Sequence, residues 1–135
     1  MATLTVPNRV ESVRPLTAFL VQAARQWNVP AAAEPVFEVA ISEAITNAVK
    51  HGPADSEGAT IRCDIELEEG LLTLRIIDGG PGFSLQPRRM PDVFPEHIET
   101  LPEAGYGLPL IQTVFPIVRV ISVDGRFGVE LGLKY

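Results

Sequence analysis

Three short segments combine residue types that could hold and transfer a charged group. In the first, Phe37, Ile41, Ala44, Ile45, Ala48 and Val49 recur at helical spacing. At roughly 100° per residue they gather into one apolar arc. Glu43, Asn47 and His51 are spaced by four, so they form a stripe along that helix, at or just outside the margin of the arc. A polar stripe beside a core face must be hydrogen-bonded or face a cavity, since burial without a partner costs about 1–3 kcal/mol per group. A solvated helix edge meets that requirement, and so does a cavity flanked by the small residues Ala40, Ala44 and Ala48. Asn is a poor mid-helix residue, which weighs toward the cavity. There a carboxylate can accept a proton, and an amide oxygen suits a hard cation such as Mg²⁺.

The second segment is Asp78 with the run Gly79-Gly80-Pro81-Gly82 behind it. The alternation Leu72, Leu74, Ile76 continues to Asp78, so the carboxylate points to the same face as three aliphatic side chains. It can cap the turn by bonding nearby amides. It can equally accept from a ligand donor, with glycines letting that ligand approach the backbone. The third segment, Gly105-Tyr106-Gly107-Leu108-Pro109, opens a helix. It is either a flexible hinge or a helix start whose N–H groups and dipole favour an anion. Pro109 belongs in a first turn. The segment is not the dinucleotide Gly-x-Gly-x-x-Gly, and the chain has no Gly-Lys-Ser/Thr phosphate loop.

The elements that must position these residues follow from periodicity. Residues 2–6 alternate as a short strand. Residues 8–27 read as a helix, regular from near Ser12, with Pro15 tolerable in its first turn. Val29-Pro30 breaks the chain, and a second helix runs from about 32 to 51, stopped by Gly52-Pro53. Residues 59–67 and 71–78 form a hairpin around Glu69-Gly70. Residues 79–106 form a segment rich in Gly and Pro, far longer than the usual ~4–6 residue connection. A short helix at about 107–115 follows, then a hairpin of 117–123 and 127–133 around Asp124-Gly125-Arg126. The order β-α-α-β-β-α-β-β predicts an α/β (α+β) two-layer sandwich, a mixed but mostly antiparallel sheet with helices on one face.

Composition removes several alternatives. The 135 residues suit one domain, residues 1–135, with room for an ordinary core. Eleven Lys and Arg against 17 Asp and Glu give a net charge of −6, with no cationic stripe for nucleic acid or for an anionic membrane surface. Cys63 is the sole cysteine, so no internal disulfide and no thiolate zinc site is expected. The first residues lack the pattern of a signal peptide, and no run reaches the ~18 apolar residues of a spanning helix. A reducing cytoplasm is the expected location.

In this order, the three segments resemble one family. Ser42-Glu43-Ala44-Ile45-Thr46-Asn47-Ala48-Val49-Lys50-His51-Gly52 resembles the helix motif of the histidine-kinase-like (GHKL) ATPase superfamily, which includes gyrase and mismatch-repair ATPases. Asp78-Gly79-Gly80-Pro81-Gly82 is similar to its Asp-x-Gly-x-Gly, and Gly105-Tyr106-Gly107-Leu108 to its Gly-x-Gly-Leu. Within it, the small size and S-E-A-x-T-N-A-x-x-H are similar to the bacterial anti-sigma-factor serine/threonine kinases of partner-switching pathways. The likeness runs from about residue 3 to 134.

The resemblance implies the ATP-binding (Bergerat) sandwich, with residues 83–104 as the ATP lid. It implies Asn47 as ligand of Mg²⁺ bridging the ATP phosphates, and Glu43 as general base for a serine or threonine hydroxyl. Asp78 would accept from the adenine amine, Gly80 and Gly82 would make room for base and ribose, and Gly105, Tyr106, Gly107 and Leu108 would form the phosphate segment. Lys50 and His51 would be secondary nucleotide contacts. Arg88 and Arg89 would be an added cation or plain solvated surface. Ala104 replaces a frequent glycine, and Phe115-Pro116 a frequently acidic segment. The function implied is an anti-sigma factor and kinase, a homodimer in the family's manner, that sequesters a sigma factor and phosphorylates an anti-anti-sigma antagonist. Two alternatives compete: a non-catalytic ATP-gated module regulating another partner, and the detached catalytic domain of a sensor histidine kinase, for which the phosphoacceptor helices are missing.

Overall fold

The computed structural model describes residues 1–51, 59–78 and 104–135, with the side chains of His51 and of 104–108 outside that description. Five strands and three α-helices are described. They are β1 (Ala2–Pro7), α1 (Val13–Gln26), α2 (Pro35–His51), β2 (Thr60–Glu68), β3 (Leu71–Asp78), α3 (Ala104–Val114), β4 (Ile117–Val123) and β5 (Arg126–Lys134). The sheet order is β1-β2-β3-β5-β4. The sequence predicts a mixed, mostly antiparallel sheet, and every pairing among the described strands is antiparallel.

Local chemistry sets the boundaries. Val10–Ser12 form a 3₁₀ turn ahead of α1, so Pro15 falls in the first turn of α1, where its missing N–H costs no bond. The hydroxyl of Ser12 donates to the carbonyl of Pro7 at 2.6 Å and ties that turn to β1. Asn28, at φ 60°, ends α1 in the left-handed region that Asn tolerates. Residues 30–33 form a second 3₁₀ turn, and α2 opens at Pro35 rather than near 32, because a proline ring is pre-set for a first helical position. Both hairpins turn on two residues with positive φ, Glu69-Gly70 and Asp124-Gly125, the geometry that matches the twist of the flanking strands. Arg126, expected in the turn, is the first residue of β5 and pairs with Val123.

All three helices lie on one face of the sheet. Leu16, Leu20 and Ala24 of α1 meet Phe37, Ile41 and Ile45 of α2, and both rows pack on Ile61, Cys63 and Ile65 of β2 and Leu72, Leu74 and Ile76 of β3. Burying each large aliphatic side chain contributes about 1.5–3 kcal/mol, which is what holds the helix layer down. The opposite face carries charge. Arg62 grips Asp64 through two bonds of 2.9 Å, and Thr3 on β1 donates to the same carboxylate at 2.9 Å. Arg75 bonds Glu66 at 3.1 Å and Glu130 at 2.9 Å, and Arg119 bonds Glu130 at 2.5 Å. No helix among the described residues is long and apolar enough to cross a membrane.

Candidate functional site

The helix that carries the first motif is held at both ends of its inner face. Phe37, near its start, meets Phe115, which follows α3, with ring centroids 5.5 Å apart. Ile45, Ala48 and Val49 are buried farther along. Packing therefore fixes the rotation of α2 and with it the stripe that the sequence singles out. Glu43 and Asn47 are both half-buried, one turn apart, and Lys50 is exposed. Among the described residues, neither the Glu43 carboxylate nor the Asn47 amide meets a hydrogen-bond or ion-pair partner. Thr46, also half-buried and three residues from Glu43, shares that side of the helix. The helix motif includes it but assigns it no role, although i, i+3 spacing carries the signal.

Asp78 ends β3 opposite Ile61 of β2 and is 1% exposed. It lies on the sheet face that bears the helices, in line with the buried Leu72, Leu74 and Ile76, as strand alternation requires. α2 packs against β3 and against α3, so it is the common neighbour of the elements that bear the other two motifs.

The helix carrying the third motif starts earlier than expected. α3 begins at Ala104, not near 107, and Pro109 is inside it rather than in its first turn. Downstream packing explains the overall placement: Ile111 and Phe115 are 3% and 0% exposed. Gly80, Gly82, the lid at 83–104 up to residue 103, Arg88 and Arg89 lie outside the described residues, as do the side chains of His51, Gly105, Tyr106, Gly107 and Leu108.

Electrostatics separates the two faces of the sheet. The bonds to Asp64 raise the pKa of the Arg62 guanidinium. Burial alone would lower that of Arg75, but its bonds to Glu66 and Glu130 outweigh it. On the helix side, burial pushes the Cys63 thiol up to about 12, so it is an inert core group. Two further features have no signal in the sequence. A groove of about 540 Å³ runs between α1 and α2, lined by Val13, Arg14, Glu38 and Ser42 among others. Asn8, after β1, is 1% exposed, and neither polar atom of its side chain has a hydrogen-bond partner among the described residues.

The profile of the histidine kinase-like ATPase domain matches residues 6–131. The chain belongs to that family. It is 34% identical over 98 residues to the serine-protein kinase RsbW of Oceanobacillus iheyensis, covering 70% of this chain and 60% of the relative. It is 34% identical over 91 residues to the RsbW of Listeria innocua, covering 65% and 58%. To the anti-sigma F factor of Clostridium beijerinckii it is 30% identical over 97 residues, covering 72% and 66%. The chain thus spans about three fifths of the length of the first of these relatives. For a histidine kinase-like ATPase domain the donor set suits Mg²⁺. Among the described residues no group of three or more His, Cys, Asp or Glu could cage a metal. Mg²⁺ is usually held by one or two protein oxygens together with substrate phosphates, and the half-buried Asn47 amide oxygen could serve as one of them.

Proposed function

We propose that this protein is an ATP- and Mg²⁺-dependent serine/threonine kinase that also acts as an anti-sigma factor. The observation that carries the reading is the pair Glu43 and Asn47, one turn apart, half-buried and not engaged by any described neighbour. The family match and the kinship to RsbW and anti-sigma F factor support it.

Bound ATP with Mg²⁺ supplies the phosphoryl group and neutralises the charge that develops in transfer. The chain's own residues do the positioning. Asn47 offers its amide oxygen to the metal. Asp78, buried at the end of β3, accepts from the exocyclic amine of adenine. Glu43 takes the proton of the serine or threonine hydroxyl as its oxygen bonds to the γ-phosphorus and the bond to the bridging oxygen of ADP breaks. Lys50 and His51 add contacts to the nucleotide, Gly80 and Gly82 give room to base and ribose, and 105–108 supplies backbone N–H groups to the phosphates. The partners are a sigma factor, bound directly, and an anti-anti-sigma protein, the phosphoacceptor. The working form is a cytoplasmic homodimer of one ATP-binding domain per chain.

The test is calorimetric titration with ATP and ADP, with and without Mg²⁺, followed by transfer of labelled phosphate to candidate antagonists. Mg²⁺-dependent ATP binding and a labelled serine or threonine are expected. No nucleotide binding under any condition would overturn the proposal.

A further inference from the structure

The two edges of the sheet are unlike. β1 is apolar on one face only, with Thr3, Thr5 and Pro7 exposed on the other. It ends in a proline, a residue that blunts an edge. β4 is the opposite edge. Ile117, Val118, Val120, Ile121 and Val123 are all half-buried, so this strand is apolar on both faces, and Arg119 is its one charge. On the open face Ile117 and Ile121 stand opposite Gly132 and Gly128 of β5, which offer no side chain to pack on. An apolar edge of this kind is a template for a further strand.

Backbone geometry says where that strand would bond. Asp124 and Gly125 both have positive φ, and Val123 pairs with Arg126 across this two-residue turn. The pair flanking such a turn exchanges both its bonds, and hydrogen-bonded pairs alternate along an antiparallel ladder. Ile117, Arg119, Ile121 and Val123 therefore spend their N–H and C=O groups on β5. Those of Val118, Val120 and Ser122 point to the outer edge, where no described strand answers them.

Resting on the homodimer put forward above, we propose that this edge is its seam: β4 pairs antiparallel with β4 of a second copy, about a two-fold axis at Val120. That register pairs all seven residues of the strand. Val120 meets its own copy and Val118 meets Ser122 of the partner subunit, so the outward N–H and C=O groups bond one another. On the open face Arg119 stands opposite Ile121 of the partner subunit, and Ile117 opposite Val123 of the partner subunit. An axis at Arg119 would set that arginine against its own copy. An axis at Ile121 would leave Ile117 and Val118 with no strand residue opposite.

Charge permits the seam. The β4–β5 hairpin, residues 117–134, holds three basic and two acidic residues, against 11 and 17 in the whole chain. The negative excess lies elsewhere, so two copies meet here without net like-charge repulsion. Arg119 is already answered by Glu130 of its own copy.

The test is sedimentation equilibrium on the full chain and on edge variants whose circular dichroism matches wild type. Ile121→Lys sets a like charge opposite Arg119 of the partner subunit, twice per dimer, and Ile121→Glu sets an opposite charge there. Ile121→Glu is expected to dimerise roughly tenfold or more tighter than Ile121→Lys. Net charge alone gives the reverse order, since the chain is already at −6. Val120→Cys is expected to form a covalent dimer with oxidised glutathione, because directly paired Cα atoms about 5.5 Å apart are within disulfide reach. The native Cys63 is buried and takes no part. Thr5→Cys, on the other edge, is expected to stay uncrosslinked. A wild-type chain that is monomeric at every concentration overturns the homodimer and the seam together, and leaves the edge to an extended segment of another protein. A wild-type dimer in which Ile121→Lys is as tight as Ile121→Glu overturns the seam alone. So does one in which Val120→Cys crosslinks no faster than Thr5→Cys, and the homodimer then rests on another surface.

Discussion

The open face of the sheet and the stripe on α2 both set polar groups beside a core, and they treat those groups in opposite ways. On the sheet, Asp64 and Glu130 are 2% and 8% exposed, and each carboxylate is answered by guanidinium groups at hydrogen-bond distance. Their charge is neutralised within the fold. On α2, Glu43 and Asn47 are more exposed than those carboxylates and have no described partner. Burial alone therefore does not mark a functional polar group. A buried charge with all its bonds made is structural. A half-buried one with bonds still to make is available to a ligand.

Substitutions can break or sharpen that contrast. The largest effect is expected at Glu43. Glu43→Gln should lower antagonist phosphorylation by about 10²-fold or more while ATP affinity holds. Its melting temperature should stay near wild type, because no fold bond is lost; undiminished transfer would remove the carboxylate from the chemistry. Next is Gly128, on the sheet's open face. An added Cβ would sit 2.5 Å from the carbonyl oxygen of Ile76 and 2.9 Å from the Cα of Ile77, both backbone atoms that cannot swing aside. Gly128→Ala should cost about 1–3 kcal/mol in urea unfolding, and a wild-type midpoint would show the strands part easily there.

Glu130→Ala should lower stability by about 1–3 kcal/mol, since Arg75 and Arg119 both lose their carboxylate, and should leave ATP binding unchanged. Weakened ATP binding with intact stability would erase the distinction between the two regions. The effect confined to the narrowest conditions concerns pH, and near neutrality it vanishes. Cys63 faces the core from β2 with its thiol raised from 9.0 to about 12. The folded state therefore favours the protonated thiol. Its contribution is complete below pH 9 and is lost as pH climbs from 9 toward 12, by about 1.4 kcal/mol for each unit well inside that window. Cys63→Ala should flatten the alkaline slope of urea stability, and an unchanged slope would show that another group sets it.

Much of this was legible in the chain because it is local. The period of two in 59–67 and 71–78 set both strands and put Asp78 on the core face. The spacing of four placed Glu43 over Asn47. What escaped was set by other elements. The start of α3 moved to 104 despite Pro109, because helical propensity is a weak prior beside the packing of Ile111 and Phe115. Thr46, though part of the helix motif, was given no role because a lone threonine in a helix is ordinary until its neighbours are known. The buried amide of Asn8 and the groove beside Ser42 depend on what stands across from them, and no spacing encodes that.

By itself the sequence determined the element types, the places of the two hairpins, the strand face of Asp78 and the family, because dihedral preferences and side-chain periods act over a few residues. Only the tertiary structure decided the strand order β1-β2-β3-β5-β4, the pairing of Arg75 with Glu66 and Glu130, the clasp of Phe37 on Phe115 and the crowding at Gly128. Those contacts join residues far apart in the chain, and their energies exist only once the layers have closed on one another.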